Sequence, residues 1–284
     1  MTPVRELDVA EVTAAIKRLC MEANFDLPGD VYRALDGAKA DEESPVGRAV
    51  LDQLTLNADI AAADRVPICQ DTGLAVVFAE IGQDVHLSGG DFEAAVNEGV
   101  RQGYGEGYLR KSSVAQPAHE RLNTKDNTPA IIHTRLVPGD RVWLALMPKG
   151  GGAENMSSLN MLKPAQGAEG LMQAVVDTVS RAGANPCPPV VIGVGIGGTI
   201  DKATQLAKYA LLREIGSGHP DARLAALEGE LLARINRLGI GPQGLGGTTT
   251  ALAVFVEEAP CHIASMPVAV NVQCHAQRHK TATL

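Results

Sequence analysis

Residues 69–73 read Cys-Gln-Asp-Thr-Gly and come directly before an apolar run, Leu74–Ile81, that is typical of a buried strand. A tight turn at this place needs only the aspartate and the glycine. The thiol of Cys69 and the amide of Gln70 therefore add chemistry that a turn does not require. We expect Cys69, Gln70 and Asp71 to belong to a functional site.

Three of the five cysteines share a setting at the edge of a strand-like run. Cys69, Cys187 and Cys274 are each flanked by turn or polar residues such as proline, glutamine and histidine. Prolines beside a cysteine hold it in a loop and remove competing backbone donors. We therefore treat these three thiols as candidate metal ligands.

The other two cysteines make a weaker case. Cys20 lies on the apolar face of a helix predicted over residues 8–23, which is the setting of a buried structural thiol. Cys261, beside a proline, favours neither interpretation. The odd total and the absence of a C-x-x-C pair argue against a disulfide framework and against a finger-type zinc site.

Three thiolates could bind zinc, although they are one ligand short of a closed structural site. They could also bind an iron–sulfur cluster, which normally takes four cysteines. With three, one iron keeps an open position at which a substrate oxygen can bind and be polarised. The spacing alone leaves both possibilities open, because the ligands form no local motif.

Glycine clusters at residues 150–152, 193–198 and 241–247, where backbone N–H groups can approach a ligand. The middle cluster matches the dinucleotide fingerprint G-x-G-x-x-G. That fingerprint requires a second parallel strand ending in an acidic residue, and the sequence continues with two helical segments instead. We therefore expect a packing turn between strand and helix, with a small-carboxylate site as the alternative.

The N-terminal region, residues 1–65, is predicted to be helical. Apolar residues repeat every three to four positions over residues 8–23, and Asp8 with Glu11 resembles a capping box. Ser44 and Pro45 stand in the order expected of a cap and first turn of a second helix. A shorter helix is expected to begin at Asp91.

The rest of the chain alternates strand-like and helical segments. Residues 130–137 and 141–147 flank a Pro-Gly-Asp turn signal and predict a hairpin. Further strands are expected at residues 190–194, 249–256 and 267–272, and helices at 168–181, 199–215 and 222–238. The sequence thus predicts a mixed α/β (α+β) fold, with a helical N-terminal region on a mixed-sheet core, as one domain over residues 1–284.

Composition excludes several classes of protein. The net charge of −8 argues against nucleic acid as the main partner. The first 20 residues are charged and lack the apolar core of a signal peptide, and no run reaches the length of a membrane span. We expect a soluble, cytoplasmic protein.

Six segments together resemble one family along nearly the whole chain, the class I, iron–sulfur-dependent fumarate hydratases, in their alpha subunit or N-terminal half. The segments are PICQDTG (67–73), NTKDNTPAIIH (123–133), KGGGAENMS (149–157), NPCPPVVIGVGIGGT (185–199), RLGIGPQGLGG (237–247) and NVQCHAQRH (271–279). The sister family of L-tartrate dehydratase alpha subunits shares the cysteine segments and the GIGPQG loop. Around KGGGAENMS and NTKDNTPA the chain is more similar to the fumarate hydratases.

The resemblance implies a [4Fe–4S] cluster held by Cys69, Cys187 and Cys274. It also implies that substrate is contacted by five further residues, namely Gln70, Asp71, Arg110, Gly151 and His262. The implied reaction is the reversible hydration of fumarate to (S)-malate, with Asp71 as general acid/base. The alternative is dehydration of L-tartrate or a related 2-hydroxy dicarboxylate.

The resemblance further implies a second polypeptide. The sequence ends ten residues after Cys274, whereas single-chain relatives continue into a second domain. We therefore expect a separate beta subunit in an α2β2 assembly, with little activity from this chain alone. Two other classes predict different properties: a non-catalytic iron–sulfur scaffold would keep four protein ligands, and a nicotinamide enzyme would bind NAD.

Overall fold

The computed structural model describes residues 4–284 and divides into two compact units. Among the described residues, the first unit comprises residues 4–28, 58–151 and 278–284, and the second comprises residues 29–57 and 152–277. The mixed α/β class predicted from the sequence is confirmed. The assignment of residues 1–284 to one catalytic domain stays a prediction.

The first unit is built on a four-stranded sheet in the order β10-β5-β2-β4. Its strands are β2 (Leu74–Gly82), β4 (Ile131–Val137), β5 (Val142–Lys149) and β10 (Lys280–Thr283). Two helices pack with this sheet in one apolar core, α1 (Val9–Phe25) and α4 (Phe92–Glu106). A separate parallel pair joins β1 (Arg5–Asp8) to β3 (Val85–Ser88).

The predicted hairpin of residues 130–147 is wrong in its pairing, although both of its strands exist. β4 pairs with β2 in parallel and β5 pairs with β2 antiparallel, so that β2 lies between them. The turn signal at residues 138–140 passes across the end of β2, where Gly82 N donates to Arg141 O at 2.8 Å. β2 and β5 are the two inner strands of this sheet, and both are buried along most of their length because an inner strand can be covered on both faces.

Helix starts follow the predicted caps. Asp8 accepts from the N–H of Ala10, Asp91 accepts from that of Ala94, and Ser44 Oγ accepts from that of Gly47. They precede α1, α4 and α3 (Pro45–Asp64) respectively. Side-chain oxygens at these positions satisfy backbone donors that the first helical turn leaves free.

The second unit contains a sheet in the order β6-β9-β7-β8. Its strands are β6 (Ser158–Leu162), β7 (Val190–Gly197), β8 (Ala251–Ala259) and β9 (Met266–Gln273). Four α-helices lie wholly in this unit: α2 (Gly29–Asp41), α6 (Gly167–Ala182), α7 (Ile200–Ala210) and α8 (Ala222–Asn236). The short helix α5 (Gly151–Glu154) belongs to it except for its first residue. Residues 45–57 of α3 also belong to this unit.

Several boundaries differ from the prediction. α7 ends at Ala210 rather than near residue 215, because residues 211–219 form turns. The polar C-terminal segment, to which the sequence assigned no element, forms β10 against β5. Among residues 4–284, no helix is both long and apolar enough to cross a bilayer.

Candidate functional site

The loop at residues 69–73 folds back on itself at the start of β2. The N–H of Asp71 points at Cys69 Sγ at 3.4 Å, and the N–H of Gly73 donates to Asp71 Oδ1 at 3.0 Å. Gly73 has a φ of +73°, and a side chain there would collide with the backbone of Lys149. The glycine is therefore required by conformation and by close approach. The thiol and the carboxylate consequently stand side by side.

The second oxygen of Asp71 reaches the first glycine cluster. Asp71 Oδ2 accepts from the N–H of Gly151 at 2.7 Å. A Cβ placed on Gly150 would lie 3.1 Å from the same oxygen. Both carboxylate oxygens are thus fixed by backbone N–H groups. Gly151, predicted to contact substrate, donates here to Asp71.

Arg110 is tied to the same loop through its main chain, because Thr72 Oγ1 donates to Arg110 O at 3.0 Å. Its side chain is exposed and has no ion-pair or hydrogen-bond partner in the part of the chain that the structure describes. Gln70 is also exposed, and Cys69 Sγ lies 3.5 Å from its Oε1. The first unit therefore brings together Cys69, Gln70, Asp71, Arg110 and Gly151, all named from the sequence.

In the second unit, Cys187 and Cys274 lie in loops at the ends of two neighbouring strands. Cys187 precedes β7 and Cys274 follows β9, and these strands pair antiparallel. The N–H of His275 donates to Cys187 O at 3.2 Å. Cys187 has a φ of +55° and is exposed, while Cys274 is half-buried. Two of the three candidate ligands are therefore fixed at the same edge of one sheet.

Gln243 was not predicted to belong to the site, yet its N–H and Nε2 both donate to Pro188 O, at 2.7 and 3.0 Å. Its Nε2 also lies 3.1 Å from His275 Nδ1. Gln243 has a φ of +53°, a conformation that is strained for a residue with a side chain. Its two bonds to Pro188 O hold the loop that carries Cys187. Its place inside the GIGPQG segment was the only available signal.

His262 lies elsewhere in the second unit. It follows β8, which runs parallel to β7, so it stands at the opposite edge of the sheet from Cys187 and Cys274. Its Nδ1 accepts from the N–H of Ala264 at 3.1 Å. Within this unit the structure does not bring His262 to the two cysteines.

The remaining two cysteines differ from the candidate ligands. Cys20 is fully buried, and burial raises the pKa of its thiol far above the ordinary value, as expected of a structural cysteine. Cys261 Sγ donates to Ser265 O at 3.2 Å. Among the described residues, no three His, Cys, Asp or Glu side chains are placed as a ready metal site.

The G-x-G-x-x-G segment serves packing between strand and helix, as the sequence predicted, but only its last two glycines form the turn. Gly193 and Gly195 lie inside β7, and a Cβ on either would lie 2.0 Å from a carbonyl oxygen of α7. They let α7 pack directly on the strand. Only Gly197 and Gly198, both with positive φ, form the turn. The segment therefore lacks the loop that a dinucleotide fingerprint requires.

Residues next to the third glycine cluster bind a carboxylate of the chain itself. Glu42 is 1% exposed and accepts from the N–H groups of Ser44, Thr248 and Thr249 at 2.8 to 2.9 Å. A Cβ on Gly247 would lie 2.4 Å from Glu42 Oε1. The donors around this cluster are thus used internally by a residue that sequence reasoning missed.

The fumarate hydratase (Fumerase) family model matches residues 13–283 of the chain. A Methanocaldococcus jannaschii protein, provisionally named an L(+)-tartrate dehydratase alpha subunit, is 44% identical over 272 residues, covering 94% of this chain and 95% of that protein. The L(+)-tartrate dehydratase alpha subunit of Escherichia coli strain UTI89 is 32% identical, covering 96% and 90%. The chain therefore belongs to the fumarate hydratase family of hydro-lyases. The family predicted from the sequence is confirmed.

Proposed function

We propose that this chain is the alpha subunit of an iron–sulfur hydro-lyase that removes water from a 2-hydroxy dicarboxylate, with L(+)-tartrate as the favoured substrate. The named relatives support tartrate over the fumarate/malate pair that the sequence segments favoured. The description of the matching family supports fumarate hydration as the second candidate.

The observation that carries the proposal is the pairing of Asp71 with Cys69. The carboxylate of Asp71 is fixed by two backbone N–H groups and lies two residues from Cys69, a candidate metal ligand. A carboxylate held in this way can take or give a proton at the substrate hydroxyl without reorganising. A buried structural turn would not need the thiol.

Cys69, Cys187 and Cys274 would hold a [4Fe–4S] cluster. Their donor chemistry fits, because thiolates are the usual ligands of such clusters and all three sulfurs lie on loops rather than in the apolar core. When bound, the cluster supplies a Lewis-acidic iron that makes hydroxide a better leaving group.

The other residues of the loop bind and orient the substrate. Arg110 can bind one carboxylate with two parallel hydrogen bonds, and its exposed guanidinium is available for this. Gln70 offers an amide beside the thiol, and Gly151 lies next to the carboxylate of Asp71, where it stays a predicted substrate contact. His262 stays a predicted substrate contact, and within the second unit it lies at the opposite edge of the sheet from Cys187 and Cys274.

A beta subunit supplies the base that removes the C3 proton in this proposal, in an α2β2 assembly acting on the dicarboxylate. The alpha-subunit names of the relatives support a separate partner. The chain alone is then able to bind iron and sulfide yet has little turnover.

Anaerobic reconstitution with iron and sulfide, followed by mixing with the beta subunit, tests the function directly. Dehydration of tartrate gives an enol that becomes a 2-oxo acid, whereas dehydration of malate gives an alkene that absorbs in the ultraviolet. We expect 2-oxo acid from L(+)-tartrate as the faster reaction. Faster alkene formation from malate would establish the fumarate alternative, and no turnover of either would refute the proposed function.

The ligands are tested by iron content. Cys187→Ser should lower the iron bound after reconstitution, whereas Cys261→Ser, which changes another exposed thiol, should not. Equal iron in both variants would contradict the proposed ligand set. Binding of NAD by the isolated chain would favour the nicotinamide class instead.

A further inference from the structure

The backbone of residues 71–73 is held from the interior of the first unit as well as through the side chain of Asp71. Three consecutive carbonyl oxygens, those of Asp71, Thr72 and Gly73, each accept a hydrogen bond from a buried side chain. The donors are Arg278 and Tyr104, and Asn127 Nδ2 adds a bond to Gly73 O at 3.1 Å. None of these three donors is among the substrate-contacting residues that the family resemblance implies.

Arg278 is an unusual donor because it is only 2% exposed. Its Nη2 donates to Asp71 O at 2.6 Å, while Nε and Nη1 have no hydrogen-bond partner among residues 4–284. An arginine keeps its charge when buried, and burying a charge with few partners costs free energy. An arginine placed for stability alone would be expected to make more bonds than this one.

Tyr104 approaches the same backbone from α4. Its hydroxyl lies 2.8 Å from Thr72 O and 2.9 Å from Gly73 O, and the side chain is fully buried. Burial raises the pKa of the Tyr104 phenol well above its ordinary value, while the charge of Arg278 opposes that shift. The hydroxyl therefore keeps its proton and stays a donor.

We propose that Arg278 and Tyr104 are positioning residues for Asp71, which hold the carbonyls behind it so that its carboxylate keeps one orientation. This inference rests on the proposed function of Asp71. The physical reason is that proton transfer depends on placement within fractions of an ångström, and a loop fixed only at its side chain can rotate.

Hydrogen exchange in the full chain without cluster measures the positioning directly. The reporters are the amides of Asp71 and Gly73, which donate to Cys69 Sγ and Asp71 Oδ1. Tyr104→Phe removes one hydroxyl, and Arg278→Gln removes the charge. We expect each to raise exchange in peptides covering residues 69–76 by roughly fivefold, the effect of about one lost hydrogen bond.

Matched controls isolate the effect. Tyr108→Phe makes the same chemical change four residues later on a side chain that is 90% exposed. Arg135→Lys alters an exposed arginine of the same unit. Both controls should exchange as the wild type does. Arg278→Lys keeps a cation and should recover part of the protection.

In the assembled enzyme, Arg278→Gln should lower kcat by about tenfold to a hundredfold with little change in KM, and Arg278→Lys should recover part of the loss. Unchanged local exchange, or exchange that rises equally over the whole chain, would overturn the inference. If the wild-type enzyme turned over no dicarboxylate, the proposed function would fail, and the exchange result would still decide whether these residues position Asp71.

Discussion

Asp71 and Glu42 are two carboxylates held in the same manner in different units. Asp71 accepts from the N–H groups of Gly73 and Gly151, and Glu42 accepts from those of Ser44, Thr248 and Thr249. Both lie beside a glycine cluster. Asp71 is half-buried and adjoins a thiol, whereas Glu42 is 1% exposed.

The difference shows that a carboxylate bound by backbone N–H groups is not in itself a catalytic feature. Around Glu42 the hydrogen bonds join the start of α3 to residues 248–249 and leave no access for a ligand. Around Asp71 the same kind of bond leaves the group beside Cys69 and the exposed Arg110. Access and neighbours separate a structural acid from a functional one.

The largest expected effect is on turnover. Asp71→Asn should reduce kcat of the reconstituted enzyme by about 10²–10⁴, because the amide cannot transfer the proton. Its melting temperature and iron content should stay close to those of the wild type. Glu42→Gln is the matched control, since any loss of its activity should follow the loss of folded protein. Near-normal kcat in Asp71→Asn would remove the functional half of the comparison.

The next largest expected effect is on stability, and it should differ between the glycines beside the two carboxylates. Gly247→Ala places a Cβ 2.4 Å from Glu42 Oε1 at a φ of +136°, and overpacking of this kind costs about 1–3 kcal/mol. Gly151→Ala places its Cβ 3.8 Å from Asp71 Oδ2, an ordinary contact. Chemical denaturation should show a large loss for the first and a small change for the second. Equal losses of stability would mean that Gly247 and Gly151 are packed equally tightly.

Glu42→Gln should itself destabilise the chain by about 1–3 kcal/mol, because both carboxylate oxygens accept from buried N–H groups and the amide nitrogen that replaces one of them cannot accept. Glu43→Gln changes the neighbouring exposed side chain and should be nearly neutral. Urea unfolding of both variants measures the difference. A loss in Glu43→Gln as large as that in Glu42→Gln would point to net charge rather than to these bonds.

The smallest expected effect is a pH dependence. Burial alone would raise the pKa of Glu42, but the backbone N–H groups of Ser44, Thr248 and Thr249 outweigh it and hold the pKa below its ordinary value. A lowered folded pKa contributes stability that is fully present above the unfolded pKa and is lost as the pH falls through the folded pKa. The stability gap between wild type and Glu42→Gln should therefore shrink in acid. A gap that widened in acid would reverse the assigned sign.

Interactions between residues close in the chain were the ones that could be predicted best from the sequence. Caps at Asp8, Ser44 and Asp91 could be predicted because each bond spans two or three residues. The grouping of Cys69 with Asp71 was visible for the same reason. The role of Glu42 was not, because its partners at Thr248 and Thr249 are more than two hundred residues away.

Pairing of strands was likewise beyond local reasoning. Residues 138–140 do form a turn between β4 and β5, but β2 lies between these two strands in the sheet. A turn reverses the chain, but it does not decide which strands pair, and here both strands pair with β2, which comes from an earlier part of the chain. The glycines of β7 show the same limit, because their purpose is visible only once α7 lies against them.

By itself, the sequence determined the family, several helix starts, most of the longer strands and the identity of the thiols and acids available for chemistry. These follow from residue type and short spacing. Only the tertiary structure decided that Glu42 accepts hydrogen bonds from the N–H groups next to the third glycine cluster. The same holds for the packing role of Gly193 and Gly195 and for the distance of His262 from Cys187 and Cys274 within the second unit. Those outcomes depend on which distant segments compete for the same N–H groups and the same space, and spacing along the chain does not encode that competition.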